Sequence, residues 1–89
     1  MSNKYSDFVA KAKAIKDVGE WITSRIDSLK NDIKWYDEQR LEYLAECQAQ
    51  EKEPSEWRIA DFDDNVSSNE AQIKTLEKIE KYLEKEMGA

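Results

Sequence analysis

The chain has 89 residues, 38% of them charged, with 14 lysines and arginines against 20 aspartates and glutamates, no histidine, and a net charge of −6. So short a chain makes one small domain over residues 1–89, and two glycines, one proline and one cysteine (Cys47) exclude a turn-rich sheet and an internal disulfide. No apolar run approaches the roughly 20 residues that span a bilayer, and no signal-peptide pattern opens the chain, so a cytoplasmic protein without a membrane segment is expected.

In chain order, the first predicted element is a short helix over about residues 4–16, with Tyr5, Phe8, Val9, Ala12 and Ile15 on one side. Four lysines (Lys4, Lys11, Lys13, Lys16) against Asp7 give residues 1–16 a net +3. Asp17 followed by Glu20 resembles a capping box, and Gly19 weakens a helix nearby. The short helix is therefore expected to end there and fold back over Trp21.

A long helix follows over about 18–52. Its apolar residues Ile15, Ile22, Ile26, Leu29, Ile33, Tyr36, Tyr43 and Cys47 recur in steps of three and four, interrupted by Gly19 and Arg40. Pro54 pushes the residue before it out of helical geometry, which stops this helix near Glu53 and leaves Ser55 to cap the next. The third helix, over about 55–87, carries Ile59, Phe62, Val66, Ile73, Leu76, Leu83 and Met87, interrupted by Asn69 and Glu80.

So short a link makes the two long helices antiparallel. Reflection about residue 53 pairs Cys47 with Ile59, Tyr43 with Phe62, Ile33 with Ile73, Leu29 with Leu76 and Ile22 with Leu83. The expected fold is all-α: an antiparallel, coiled-coil-like hairpin with a short N-terminal helix folded back on it. Arg40, Asn69 and Tyr36 are expected to meet near its middle as polar residues that specify register, and Arg25 to reach Glu80.

Within the third helix, "DFDDNVSSNEAQ" (Asp61 to Gln72) places oxygen-bearing side chains at alternate positions, as a calcium loop does. Such a loop needs a tight turn at its sixth position and a bidentate carboxylate at its twelfth; Val66 and Gln72 supply neither. Val66 also keeps the apolar register, so the segment is expected to be a solvated helical face, with Ser67-Ser68-Asn69-Glu70 as a candidate capping box and kink near residue 67.

Nothing points to catalysis, a metal or a cofactor. Histidine is missing, Cys47 sits on the seam beside Glu46, and there is no glycine-rich phosphate loop. From Asp37 to Asp64, ten acids face three bases, a net −7, which repels nucleic acid and attracts basic surfaces. A protein partner with a basic surface is therefore expected, bound through Trp35, Trp57, Arg58, Asp61, Asp63 and Asp64, since Trp and Arg dominate interface hot spots. A second reading has an anionic nucleotide sequestered near the basic N-terminal helix by Lys4, Tyr5, Lys11 and Arg25.

In size and composition the chain resembles the small acidic helical accessory proteins that phages use against host factors, and that resemblance implies an inhibitor that acts by binding. Trp35, Leu41, Leu44, Trp57, Ile79 and Tyr82 fall outside the seam. More apolar surface than a monomer tolerates implies a homo-oligomer.

Overall fold

The computed structural model describes residues 4–88, without the side chains of Lys4, Met87 and Gly88. Two helices, α1 (Lys4–Ala49) and α2 (Glu56–Gly88), account for all of these but the connection 50–55. The molecule is a rod of 75 × 18 × 14 Å with a radius of gyration of 20.7 Å, against about 12 Å for a compact chain of this length.

The helices lie side by side, and contacts fall in opposite order along them. Lys11 Nζ is 3.6 Å from Glu86 Oε2. The Thr23 hydroxyl donates to Glu80 Oε2 at 3.2 Å. Arg40 Nε lies 3.5 Å from Asp63 Oδ1, and the Tyr43 and Phe62 rings are 6.3 Å apart. Rising numbers on α1 meet falling numbers on α2, so the chain directions oppose.

Ile22, Ile26, Leu29 and Ile73 form the buried core, with Ile33, Leu76 and Leu83 packed against them. Ile22 and Leu29 are almost entirely enclosed, and burying a side chain of that size contributes about 1.5–3 kcal/mol. These are the residues at three- and four-residue spacing, the only spacing that keeps one stripe of a helix against a neighbour.

The separate helix expected over 4–16 is not formed: α1 runs unbroken from Lys4. Phe8, Ala12 and Ile15 keep the same three-four steps as Ile22, Ile26 and Leu29, with no phase change at Asp17. One continuous helix thus satisfies both stripes, whereas a cap at Asp17 would break hydrogen bonds with nothing to replace them. Gly19 is helical, and its carbonyl accepts the Thr23 hydroxyl at 3.0 Å.

α1 ends at Ala49, three residues before the expected stop at 52. The Lys52 N–H bonds to the Cys47 carbonyl at 2.8 Å and the Glu51 N–H to that of Gln48 at 3.2 Å. Those two bonds define a Schellman ending, which requires a left-handed residue between them. Glu51, at φ 54°, fills that place without being glycine. At the other side of the turn, Ser55 caps α2: its Oγ accepts the Arg58 N–H at 3.4 Å.

Helical hydrogen bonding is not interrupted near Ser67; residues 56–88 form one helix. The Asn65 side-chain amide donates to the Asp61 carbonyl at 2.9 Å, so the polar run bonds within its own helix. Two polar contacts lie outside the expected pairing. Arg40 reaches Asp63, a neighbour that the seam pairing does not name, because its long side chain extends a turn along the seam. Glu80 is met by the Thr23 hydroxyl rather than by Arg25.

Candidate interaction surface

The turn end of the rod is built around Tyr43. Ser55 N–H is the donor that a capping box would satisfy with Glu or Gln three residues on, but that position is Arg58. The Tyr43 hydroxyl accepts it instead, at 2.8 Å. Arg58 lies over the same ring, its guanidinium carbon 4.3 Å from the centroid, and Phe62 packs at the ring's tilted side. One aromatic residue of α1 thereby fixes the cap and the first two turns of α2.

That scaffold carries the expected partner-binding residues of α2. Trp57 is 78% exposed. Asp61 and Asp64 follow it by four and seven residues, so all three share one exposed stripe of α2. Asp63 points to the side, toward Arg40 Nε, which is buried and close to the carboxylate but without a directed hydrogen bond. Arg58 is engaged by Tyr43. Trp35 is half-exposed, its ring edge against Tyr36 at 5.1 Å. With Tyr43 level with Phe62, Trp35 lies about 20 Å along the rod from Trp57, so the two tryptophans do not form one anchor.

The alternative ligand set is more dispersed. Lys4's side chain lies outside the described residues, Tyr5 is exposed, and Lys11 pairs with Glu86. Arg25 sits about 20 Å further along α1 than Lys11, at a shallow groove of about 410 Å³ beside Trp21 and Leu76. A larger groove of about 850 Å³ opens where Gly19 leaves space beside Ile15, Thr23 and Leu83. Its charged rim is Lys16 against Glu20, Glu80 and Glu84, a balance that repels phosphate.

Cys47 is buried at the seam. Among the described residues no helix is long and apolar enough to cross a membrane, and no group of carboxylates and cysteine is placed to hold a metal ion. The pinning role of Tyr43 was not foreseen from the sequence, where it counted only as a seam residue; Arg58 at the third helical position, unable to return the cap's hydrogen bond, was the available signal. Compared with known proteins, the chain matches no family model, no curated protein and no solved structure.

Proposed function

We propose that the protein is a non-enzymatic interaction module: an antiparallel, coiled-coil-like hairpin that self-associates and binds, or blocks, a macromolecule with a basic surface. The observation that carries this reading is the turn end, where exposed Trp57 shares a stripe with Asp61 and Asp64 inside a segment of net charge −7. Acidic charge steers a basic partner and speeds encounter, and a desolvated tryptophan slows departure. The Ser55 cap and the Tyr43 contacts hold that stripe on rigid helix, so little ordering entropy is lost on binding. A role in the cytoplasm suits a chain whose one cysteine has no disulfide partner.

The nucleotide reading is weaker, because Arg25 and Lys11 lie far apart on one chain and the nearest large groove has an acidic rim. The test is capture from the native host with the wild-type chain and with Asp61→Asn/Asp63→Asn/Asp64→Asn and Trp57→Ala. A protein held by the wild type should bind the triple variant more slowly and with a flatter salt dependence, and leave Trp57→Ala faster. Equal binding to all three at low salt overturns the reading.

A further inference from the structure

The rod exposes 7391 Å², whereas a compact monomer of 10.5 kDa exposes about 5,400 Å². The excess, about 2,000 Å² per chain, is of the size that obligate dimers cover. Part of it is apolar and has a definite place in the fold. Leu83 packs on the core cluster that contains Ile22, but the α1 stripe continues through Ile15 and Ala12 to Phe8, which is 69% exposed, with Val9 next in sequence. The seam between α1 and α2 thus extends onto an overhang of α1.

The overhang and the turn are complementary in charge, +3 over residues 1–16, where Lys11 also faces Glu86 of its own chain, against −7 over 37–64. They lie at opposite ends of a 75 Å rod, so they cannot meet within one chain. A two-fold rotation that reverses a second rod brings each to the other, twice, and closes the assembly. A parallel pair would set like charge against like. Taking Tyr43 as level with Phe62, the midpoint between the levels of Phe8 and Trp57 falls at residue 77, about 3 Å from Ile79 and about 8 Å from Tyr82 along the helix. Both are exposed apolar residues on the outward side of α2 that carries Trp57.

We infer that a second copy of this chain covers the surface, each copy laying its Lys-rich overhang on the Trp57–Asp61–Asp64 stripe of the other, with Ile79 and Tyr82 near the two-fold axis. This deepens the proposed self-association, and it places that contact and a basic partner in competition for the same stripe.

The test is sedimentation equilibrium of the purified full chain alone, so its outcome is separate from whether any partner is captured. Lys13→Glu/Lys16→Glu and Asp61→Lys/Asp64→Lys alter exposed residues only, and circular dichroism checks that the helices persist. Wild type should be a dimer at micromolar concentration at low salt. Each double variant alone should weaken dimerisation about tenfold or more, and an equimolar mixture of the two should restore it, because both contacts in the mixed pair are again complementary. Zero-length carbodiimide cross-linking of mixed isotope-labelled and unlabelled wild type should join lysines of the overhang to Asp61 or Asp64 between copies. A monomeric wild type, a dimer indifferent to either variant, a mixture that fails to recover, or the absence of those interchain links overturns the proposal.

Discussion

The Tyr43 hydroxyl accepts the backbone N–H of Ser55 at 2.8 Å, joining the last turns of α1 to the cap of α2 across the connection. The bond satisfies a donor that no residue within α2 satisfies, and it holds the ring under Arg58 and against Phe62. Tyr43→Phe keeps the ring and removes the acceptor, so it should cost about 0.5–1 kcal/mol, the net worth of a partly solvated hydrogen bond. Tyr43→Ala also removes the ring contacts and should cost about 2–3 kcal/mol. Urea unfolding of the two variants checks the order; equal losses would show that the ring contacts add nothing to the hydroxyl, and an unchanged Tyr43→Phe that the hydroxyl contributes nothing.

Glu51 holds a left-handed conformation that side chains other than glycine's adopt at a cost of about 1–2 kcal/mol. Glu51→Gly removes the strain but gives the unfolded chain more freedom, so a net gain of about 0.5–1 kcal/mol is expected. Glu51→Val should lose stability, because a β-branched residue fits that conformation worst. Thermal unfolding at matched concentration measures both, and a loss on Glu51→Gly would contradict the Schellman ending.

Gly19 sits inside a continuous helix, and a Cβ added there meets nothing within 4 Å. Gly19→Ala should stabilise by about 0.5–1 kcal/mol, the propensity difference in a helix interior. The same variant separates the continuous α1 from a chain that folds back near residue 17. A hinge there would gain little from alanine or be disrupted by it, and amide exchange would show early opening around Asp17 that the substitution leaves in place.

The buried stripe was legible in the sequence because burial against a neighbour forces three- and four-residue spacing; Ile22, Ile26, Leu29 and Ile73 all lay on it. The break at Asp17 was misread because capping residues are also ordinary surface residues of a helix. The deciding signal was the unbroken phase from Phe8 to Ile22, which a folded-back helix does not need. The left-handed place at Glu51 was hidden because no glycine marks it. Reflection about residue 53 locates levels along the rod but not side-chain reach, so the approach of Arg40 to Asp63 is not visible in it. At the candidate surface, the spacing of Trp57, Asp61 and Asp64 sufficed to place them together, while the distance of Trp35 from Trp57 needed the rod's geometry.

Among the described residues, Ile73 is the one α2 residue in the buried cluster, with Ile22, Ile26 and Leu29 of α1. Ile73→Ala should cost about 2–4 kcal/mol through lost transfer and the cavity left behind. In a chain this small, that is a large share of the total stability. Lys74→Ala, one residue on and exposed, should change stability by less than about 0.5 kcal/mol. Denaturant midpoints for the pair test whether the α1–α2 seam holds the fold; comparable effects would mean that the helices are stabilised elsewhere.

Arg40 is the charged interruption of the α1 stripe, with Nε buried, 3.5 Å from Asp63 and without a directed hydrogen bond. Such a group loses solvation and regains only part of it, so an apolar side chain of similar volume should be more stable. Arg40→Leu is expected to raise stability by about 1 kcal/mol, whereas Asp63→Ala, which removes a half-exposed partner, should cost less than about 1 kcal/mol. The gain from leucine has a second consequence. An uninterrupted apolar stripe penalises fewer wrong alignments of α1 on α2, since a polar residue on a seam is what makes shifted registers unfavourable. The variant should therefore melt at a higher temperature, yet show additional amide resonances or faster exchange along the seam. A variant that is both less stable and spectroscopically single would show that Arg40 holds the helices together instead of selecting how they align.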